Sequence, residues 1–310
     1  MATAVIDIGT NTLLLLIVDD AMRPLVDLCR FGRLGKGLDA SGRLAAETIA
    51  ASLEICREYR RAIDQVIDAN GVARPIIIAT QALREAGNAA EFVGPAEQIL
   101  GAPIEVIAGE REAELAALAV VRTFPELADA RYLVVDVGGG STELITVDAG
   151  RAVSRVSVPI GAVRLTERHL RHDPPIAAEV AALTADIDRH LAPLALPRGV
   201  PVVGTAGTAT TLAAVDLGLL RYDPAAVTGH RLTGAAVTGM SGRLLAATVA
   251  ERKAMPGIAP ERADVIAAGA AIFTQVLAHV AAPALITCDR GIRWGVAYEA
   301  MSTGRSPRAS

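Results

Sequence analysis

Two short segments of the sequence combine a carboxylate, glycines and hydroxyl side chains directly after an apolar run. The first is DIGTNT, which begins at Asp7, and the second is DVGGGSTE, which runs from Asp136 to Glu143. A turn lined with Gly, Ser, Thr or Asn exposes successive backbone N–H groups, which an oxyanion can approach closely. Each Asp suits Mg²⁺, bound directly or through water, and Glu143 is a further candidate for the metal or for water. These residue types predict phosphate chemistry assisted by a metal ion.

The repetition of this pattern favours a functional interpretation. Taken alone, a glycine-rich turn after a strand is most often a simple hairpin turn that the Asp caps. Two such turns that face each other across a cleft would instead clamp a phosphate from both sides. A third loop, GTAGTAT at residues 204–210, suits a terminal phosphate and equally suits a helix start with Thr as its N-cap.

Two further segments carry charged side chains that suit phosphate hydrolysis. Arg84 in TQALREAGN is predicted one turn into a helix, where it would either contact phosphate or simply face solvent. AGEREAE contains Glu110, Glu112 and Glu114 near the start of another helix. Acidic residues there complement the helix dipole, whereas one of them at a cleft would act as a general base for water. The spacing does not choose among the three.

Hydrophobic patterns place these motifs at the ends of strands. The predicted strands are residues 4–8, 13–18, 75–80, 104–107, 132–137 and 144–147, followed by AVSRVSVPIG, PVV and ALIT. Helices are predicted at about residues 45–69, in QALREAGNAAEF, from residue 109 onward and in AVRLTERHL. This order implies α/β layers, and the two similar hairpins suggest two similar lobes with a cleft between them.

Composition limits the classes of protein that the chain can represent. Its 310 residues are 52% hydrophobic and 21% charged, which is typical of a folded chain long enough for two domains. Aromatic residues make up only 3%, so nucleic-acid binding by base stacking is disfavoured. With a net charge of −4, the protein must capture an anion through local N–H groups and a few Arg side chains. The three dispersed Cys and the short apolar run LLLLIV predict a soluble, cytoplasmic protein with reduced thiols.

The motifs, in order, resemble those of the exopolyphosphatase / guanosine-pentaphosphate phosphatase (Ppx/GppA) family from residue 6 to about 295. They are DIGTNT, TQALREAGN, GEREAEL, DVGGGSTEL, PIGAVRLTE, GTAGTAT, ERADVIAAGAAIF and CDRGIRWG. The resemblance implies an α/β chain with a duplicated actin-like (ribonuclease-H-like, ASKHA) fold, in two lobes with a central cleft. The first lobe is expected at 1–125, completed by a C-terminal helix at about 297–310, and the second at 126–296. The chain resembles the short class of the family, without the added C-terminal helical region of longer members.

The resemblance also implies an activity: release of terminal orthophosphate from inorganic polyphosphate by water, with Mg²⁺ as cofactor. In that scheme Glu112 is the general base, Arg84 neutralises developing charge, and Asp136 and Glu143, with Asp7, organise the metal. The residues that would cradle phosphate are Gly9, Thr10, Asn11, Thr12, Gly138, Gly139, Gly140, Ser141, Gly207 and Thr208. The chain departs from the family motif G-x-E-E-A at Arg111, which removes a helper carboxylate.

Other functions fit the same motifs. The nearest alternative is removal of the 5′-terminal phosphate of guanosine pentaphosphate (pppGpp), although the sparse aromatic residues disfavour a stacked guanine. A sugar kinase or chaperone-like ATPase of the same superfold would need an adenosine loop, for which GTAGTAT is a poor substitute. A non-catalytic sensing module for polyphosphate or nucleotides is the third alternative. No nucleic-acid or membrane partner is expected, and a homodimer is allowed.

Overall fold

The computed structural model describes residues 2–70 and 75–302, in two compact units. The first unit comprises the chain up to Ala119 and again from Ile292, and the second is Val120–Gly291. The boundaries predicted from the sequence lay a few residues later, at 125/126 and about 296/297. The helix Gly109–Thr123 runs across the first boundary without a break, so no loop marks it.

The first unit contains a five-stranded sheet in the order β3-β2-β1-β4-β5. Its strands are β1 (Thr3–Ile8), β2 (Leu13–Val18), β3 (Pro24–Arg30), β4 (Ile76–Ala79) and β5 (Ile104–Val106). The first three strands form an antiparallel meander, and β4 and β5 continue the sheet in parallel with β1. The accompanying helices are α1 (Leu38–Ser41), α2 (Ala46–Asn70), α3 (Gln81–Glu85), α4 (Ala90–Leu100) and α5 (Gly109–Thr123).

The second unit repeats this plan in a six-stranded sheet of order β10-β11-β9-β6-β7-β8. Its strands are β6 (Arg131–Val137), β7 (Thr142–Asp148), β8 (Arg151–Val158), β9 (Val202–Thr205), β10 (Arg231–Thr233) and β11 (Ala284–Thr287). Again three strands form an antiparallel meander, and two more, β9 and β11, run parallel to its first strand. The duplication predicted from the two hairpins is therefore present in the sheets.

Helices cover the second sheet and complete the first. Those of the second unit are α6 (Ala162–His169), α7 (Ala177–Leu191), α8 (Ala206–Asp216), α9 (Pro224–Val227), α10 (Gly234–Ala246), α11 (Val249–Ala254) and α12 (Ile266–Val280). A last helix, α13 (Ile292–Ser302), belongs to the first unit and packs on β1 and β2. Of the helices that the structure describes, none is long and apolar enough to span a bilayer.

Aliphatic side chains fill the two cores, as the low aromatic content predicts. The central strands are buried on both faces and therefore consist of nearly continuous apolar runs, such as VIDI in β1 and YLVVDV in β6. Two strands at sheet edges escaped prediction. The strand β3 (PLVDLCR) has alternating, largely exposed side chains, and β10 has only three residues.

Both predicted hairpins form, with four-residue turns of the same hydrogen-bond pattern. Ile8 pairs with Leu13 across the first hairpin, and Val137 pairs with Thr142 across the second. In the first turn Gly9 N–H donates to the Thr12 carbonyl at 2.9 Å. The equivalent bond in the second turn, from Gly138 N–H to the Ser141 carbonyl, measures 3.0 Å.

The second turn lies in direct backbone contact with the residue that precedes α6. A Cβ atom on Gly161 would lie 2.5 Å from the Gly139 carbonyl oxygen and 2.6 Å from the Gly140 carbonyl carbon. Side-chain carbon atoms do not approach backbone so closely, so only glycine allows α6 to begin at this distance from the turn.

We expect Gly161→Ala to lower the free energy of unfolding by about 1–3 kcal/mol, as other overpacked sites do. Gly239→Ala is the matched control, because Gly239 lies exposed on α10 with open space around the added Cβ. A Gly-to-Ala change in a helix interior should raise the free energy of unfolding by up to about 1 kcal/mol. Urea unfolding of both variants checks the pair, and equal stabilities would contradict the close contact at Gly161.

Candidate active site

In the first unit, neighbouring backbone holds the carbonyl groups of the hairpin turn. The segment that follows β3 lies against the turn, where Arg33 N–H donates to the Asn11 carbonyl at 3.0 Å. Gly35 N–H donates to the Thr10 carbonyl at 2.8 Å. With the bond inside the turn, the last three carbonyl groups of the turn all accept backbone hydrogen bonds.

In the second unit, the start of α6 holds the turn carbonyls in the same way. The bonds run from Ala162 N–H to Gly138 at 2.9 Å, and from Val163 and Arg164 N–H to Gly139 at 2.8 and 3.0 Å. The Arg164 side chain adds a bond from Nε–H to the Gly140 carbonyl at 2.9 Å. All four carbonyl groups of this turn are thereby occupied.

Most N–H groups of the two turns, unlike the carbonyl groups, have no hydrogen-bond partner among the described residues. Three in each turn donate to no other residue within 2–70 and 75–302: those of Thr10, Asn11 and Thr12, and those of Gly139, Gly140 and Ser141. Successive backbone N–H groups of this kind form a concave site for an anion. Each turn therefore has the geometry that suits an anion, and the phosphate-binding role predicted from its residue types stays a prediction.

The third loop joins β9 directly to α8, beside the second turn. Strands β6 and β9 are parallel neighbours, with Asp136 paired to Thr205, so both loops leave the same edge of the sheet. Thr205 is the residue before α8 but gives it no side-chain cap, since its hydroxyl donates to Asp136 Oδ2 at 2.8 Å. Ala206 has a left-handed φ of 60°, which a non-glycine residue adopts only at some cost. The N–H groups of the first turn of α8 thus lack the Thr cap that was the alternative interpretation.

Two carboxylates lie next to each other in the second unit. Asp136 and Glu143 are directly opposed on β6 and β7, so their Cβ atoms are about 5 Å apart on one face of the sheet. Both side chains are buried. Glu143 Oε1 accepts hydrogen bonds from the hydroxyls of Ser141 and Ser157, each at 2.8 Å. Burial raises the pKa of Asp136 to about 6, and the Thr205 hydroxyl opposes part of that shift.

The first unit holds a buried glutamate and an arginine in contact. Arg84 Nη1 lies 2.6 Å from Glu112 Oε1 and also donates to the Ile107 carbonyl at 2.7 Å. Glu112 is only 3% exposed, whereas Glu110 lies on the exposed face of α5. Among the three glutamates that the sequence left open, Glu112 is the one that contacts Arg84.

The match to known proteins covers nearly the whole chain. The model of the Ppx/GppA phosphatase family matches residues 15–303. Exopolyphosphatase 2 of Mycobacterium tuberculosis is 37% identical over 291 residues, which are 88% of this chain and 89% of that protein. This chain belongs to the Ppx/GppA phosphatase family.

Solved structures of Ppx/GppA relatives have the same fold. The crystal structure of an exopolyphosphatase-like protein superposes with a TM-score of 0.91, at 33% identity, over 98% of this chain and 99% of that one. The Aquifex aeolicus Ppx/GppA family member gives a TM-score of 0.80, at 32% identity, over 100% of this chain and 99% of that one. The expected fold, a duplicated α/β fold shared with Ppx/GppA proteins, is confirmed.

Arg111, where the chain departs from the Ppx/GppA motif, forms ion pairs with two other glutamates. Its guanidinium forms ion pairs with Glu114 on the same helix, at 3.2 Å, and with Glu299 on α13. The residue therefore joins α5 to α13, and the lost family carboxylate is replaced by a contact inside the first unit.

Several side chains of the Ppx/GppA motifs are buried or contact other residues of the protein. The Thr10 hydroxyl donates to Gln81 Oε1 at 2.9 Å, which fixes the first turn to α3. The buried Thr208 side chain packs against Gly269 of α12, so only its backbone N–H is suited to phosphate. Asp7 lies buried at the end of β1, where its cross-strand partner is Leu14 and no second carboxylate is opposed to it.

Sequence reasoning missed Gln81, Thr205 and Ser157 as supports of the Ppx/GppA site. Gln81 and Thr205 lie inside the quoted motifs TQALREAGN and GTAGTAT, so attention to hydroxyl and amide side chains at strand ends would have found them. Ser157 lies on β8 in a stretch with no motif, and only the register of β7 with β8 brings it opposite Glu143.

The donor set in the second unit fits a magnesium ion. No three His, Cys, Asp or Glu side chains gather as metal ligands in the described part of the chain. Mg²⁺ rarely uses such an all-protein cage, since it keeps waters and binds through one or two carboxylates plus substrate phosphates. Asp136 and Glu143 supply two adjacent, hard oxygen donors, and a nearby cation would offset the desolvation of Asp136.

Glu112→Gln should reduce phosphate release by about 10²–10⁴-fold, because loss of a general base typically has that effect. Substrate affinity, measured by calorimetry, should change little. Glu110→Gln is the control, since it makes the same change at an exposed position two residues away. Turnover of the Glu112 variant within a few-fold of the parent would remove the residue from this role.

Asp136→Asn should stabilise the protein at pH 8 in EDTA while it impairs catalysis. The unfolded carboxyl has an ordinary pKa of 3.8 and the folded one about 6, so ionisation of the folded state opposes folding above about pH 4. The free energy of unfolding should rise by roughly 2–3 kcal/mol at pH 8, and this difference should vanish toward pH 4. Urea unfolding at several pH values, with the exposed Asp188→Asn as control, measures it; no gain at pH 8 would contradict the effect of burial.

Proposed function

We propose that this protein is an exopolyphosphatase, which releases orthophosphate from the end of inorganic polyphosphate. The observation that carries the proposal is the pair of turns whose carbonyl groups accept hydrogen bonds and whose N–H groups donate to no other described residue. The name of a relative that is 37% identical, exopolyphosphatase 2 of Mycobacterium tuberculosis, supports this reaction type. The substrate is then a chain of phosphates, and the N–H groups of each turn suit its anionic oxygens.

Glu112 activates the water molecule that attacks the terminal phosphorus. It accepts one proton from the water while the oxygen bonds to phosphorus. The bridging P–O bond breaks, and the shortened polyphosphate leaves with the bond's electron pair. Arg84, 2.6 Å from Glu112, offsets the negative charge of the general base as the polyanion arrives. The same guanidinium neutralises charge on the terminal phosphate in the transition state.

The protein's main contribution to this reaction is position and electrostatics, as in other phosphoryl transfers. The N–H groups of Gly139, Gly140 and Ser141 take equatorial phosphate oxygens without reorganisation, because the turn is already fixed. Asp136 and Glu143 would hold Mg²⁺, which supplies charge neutralisation to the phosphates. Thr205 and Ser157 keep the two carboxylates in place through their hydroxyl groups.

One set of assays tests the proposal against its alternatives. Orthophosphate release is measured with polyphosphate, pppGpp and ATP side by side, in EDTA and with increasing Mg²⁺. We expect release from polyphosphate that requires Mg²⁺, and a higher half-activating Mg²⁺ concentration for Asp136→Asn. Faster release from pppGpp would favour the nucleotide phosphatase, and binding without turnover would favour a sensing module.

Basic residues outside the loops are largely engaged within the protein. Arg30 pairs with Glu58 at 2.7 Å, and Lys36 lies 3.7 Å from Glu47. Arg168 on α6 pairs with the buried Asp186 at 3.1 Å. Cations that are already paired with carboxylates contribute little to a track for a long polyanion. The structure therefore favours a structural role for these basic residues.

Long polyphosphate should therefore be degraded with weak processivity. With limiting enzyme, gel electrophoresis should show a ladder of intermediates that shorten together, because the polymer dissociates between cleavages. Raising the salt concentration should change this pattern little. Full-length chains that persist while others disappear completely would reveal a tight polymer track and contradict the prediction.

A further inference from the structure

A buried glutamine beside the first turn uses only one half of its side-chain amide. Gln81 lies on α3 and is only 3% exposed. Its Oε1 accepts a hydrogen bond from the Thr10 hydroxyl at 2.9 Å. Its Nε2 carries two N–H donors, and they donate to no residue within 2–70 or 75–302. Buried donors are normally satisfied, and this nitrogen is open to solvent and not sealed in the core, so a ligand is able to reach it.

Neighbouring groups fix the orientation of the Gln81 amide. A Cβ atom on Gly35 would lie 2.1 Å from Thr10 Cγ2, so the Thr10 methyl group lies against the segment that follows β3. The Thr10 hydroxyl is thereby left to donate to Gln81 Oε1. Because a carboxamide is planar, binding of its oxygen also fixes the position of its NH₂ group. The two unused donors are therefore held beside the first turn before any ligand binds.

The first turn itself adds further unused donors. The backbone N–H groups of Thr10, Asn11 and Thr12 have no partner in the described part of the chain, and the same holds for the side-chain amide of the buried Asn11. The turn follows β1 and α3 follows β4, which is the parallel neighbour of β1, so both leave the same edge of the sheet. A group of N–H donors selects a ligand that accepts hydrogen bonds, and charged acceptors form the strongest ones.

Helix α3 also carries the arginine that contacts the proposed general base. Arg84 follows Gln81 by three residues, so the two side chains lie on the same side of one helical turn. Arg84 Nη1 lies 2.6 Å from Glu112 Oε1. Gln81 is thus in contact with the first turn and about 5 Å along the helix from the arginine that contacts Glu112. A phosphate that reaches the Gln81 donors is accordingly the one nearest to the general base.

We propose that Gln81 binds the terminal phosphate of the substrate, through donation from its Nε2 to phosphate oxygens beside the first turn. The inference rests on the proposed exopolyphosphatase function and adds to it a residue that touches substrate. A neutral amide suits this position. A second cation beside Arg84 would pair with Glu112 and lower its basicity, whereas a carboxylate would repel the polyanion.

Binding of tripolyphosphate is measured by calorimetry at pH 8 in Mg²⁺, in the Glu112→Gln protein, so that the substrate is not consumed. Gln81→Leu removes the whole amide. Gln81→Glu keeps an acceptor for the Thr10 hydroxyl but replaces the two donors with a charged oxygen. Thr10→Val removes only the bond between the two side chains.

The matched control is Gln98→Glu, which makes the same change at an exposed position on α4 of the same unit. Thermal unfolding of each variant verifies that it is folded. Gln81→Leu conserves the approximate volume of the side chain, so it tests the proposal even if the buried carboxylate of Gln81→Glu prevents folding.

Gln81→Leu should weaken tripolyphosphate binding by about tenfold or more, as expected for a lost hydrogen bond to a charged group. The dependence of affinity on salt should stay unchanged, because no cation is lost. Gln81→Glu should weaken binding at least as much, since its carboxylate repels the phosphate. Thr10→Val should have the smallest effect of the three, because it leaves the Gln81 donors present.

A merely structural role for Gln81 predicts the opposite order. Gln81→Glu would then bind like the Gln98→Glu control, and Thr10→Val would bind as weakly as Gln81→Leu. That order would overturn the proposal. An affinity of Gln81→Leu within twofold of the control, or no tripolyphosphate binding by the Glu112→Gln parent, would overturn it as well.

The proposed function can fail separately from this inference. Turnover of polyphosphate by the unmutated protein, with Gln81 variants that bind like Gln98→Glu, would reject the role of Gln81 alone. Absence of turnover, with tripolyphosphate binding that depends on Gln81, would reject the exopolyphosphatase activity alone.

Discussion

Capture of carbonyl oxygens by neighbouring backbone is the constraint on which the rest of the site depends. Glycine-rich turns are flexible, and an anion site needs their peptide planes to face one way. Here the segment after β3 binds the carbonyls of the first turn, and the start of α6 binds those of the second. With their carbonyls held, the two turns keep three N–H groups each that donate to no other described residue. The cost of ordering is met when the protein folds, so substrate binding does not have to order the turns.

The two units share one sheet plan, and they differ in which candidate catalytic side chains they carry. Opposite Asp7 on the neighbouring strand is Leu14, whereas opposite Asp136 is Glu143. The second unit thus has the paired carboxylates that suit a metal. The first unit has instead Glu112 and Arg84, which come from α5 and α3 rather than from the hairpin. The proposed general base and the proposed metal ligands accordingly come from different elements of a common plan.

The sequence predicted the parts of the fold that repeat and missed those that only three-dimensional register determines. Both hairpins were found because an apolar run, a glycine-rich turn and a second apolar run recur together. The strand β3 was missed because an edge strand with exposed polar residues resembles a loop. In the site, motifs identified Glu112 and Arg84 as residue types, but their contact depends on how α5 and α3 pack. Gln81 lay in a quoted motif, yet nothing in the sequence indicates that it contacts Thr10.

The helix α13 returns to the first unit after the chain has passed through the whole of the second. It packs on β1 and β2, and its Glu299 holds Arg111, the neighbour of Glu112. During synthesis on the ribosome, the second unit is continuous and is able to fold as soon as it emerges. The first unit must wait with part of its sheet uncovered until α13 leaves the exit tunnel. A nascent chain therefore packs α5, the helix that carries Glu112, against α13 only after the whole of the second unit has been synthesised.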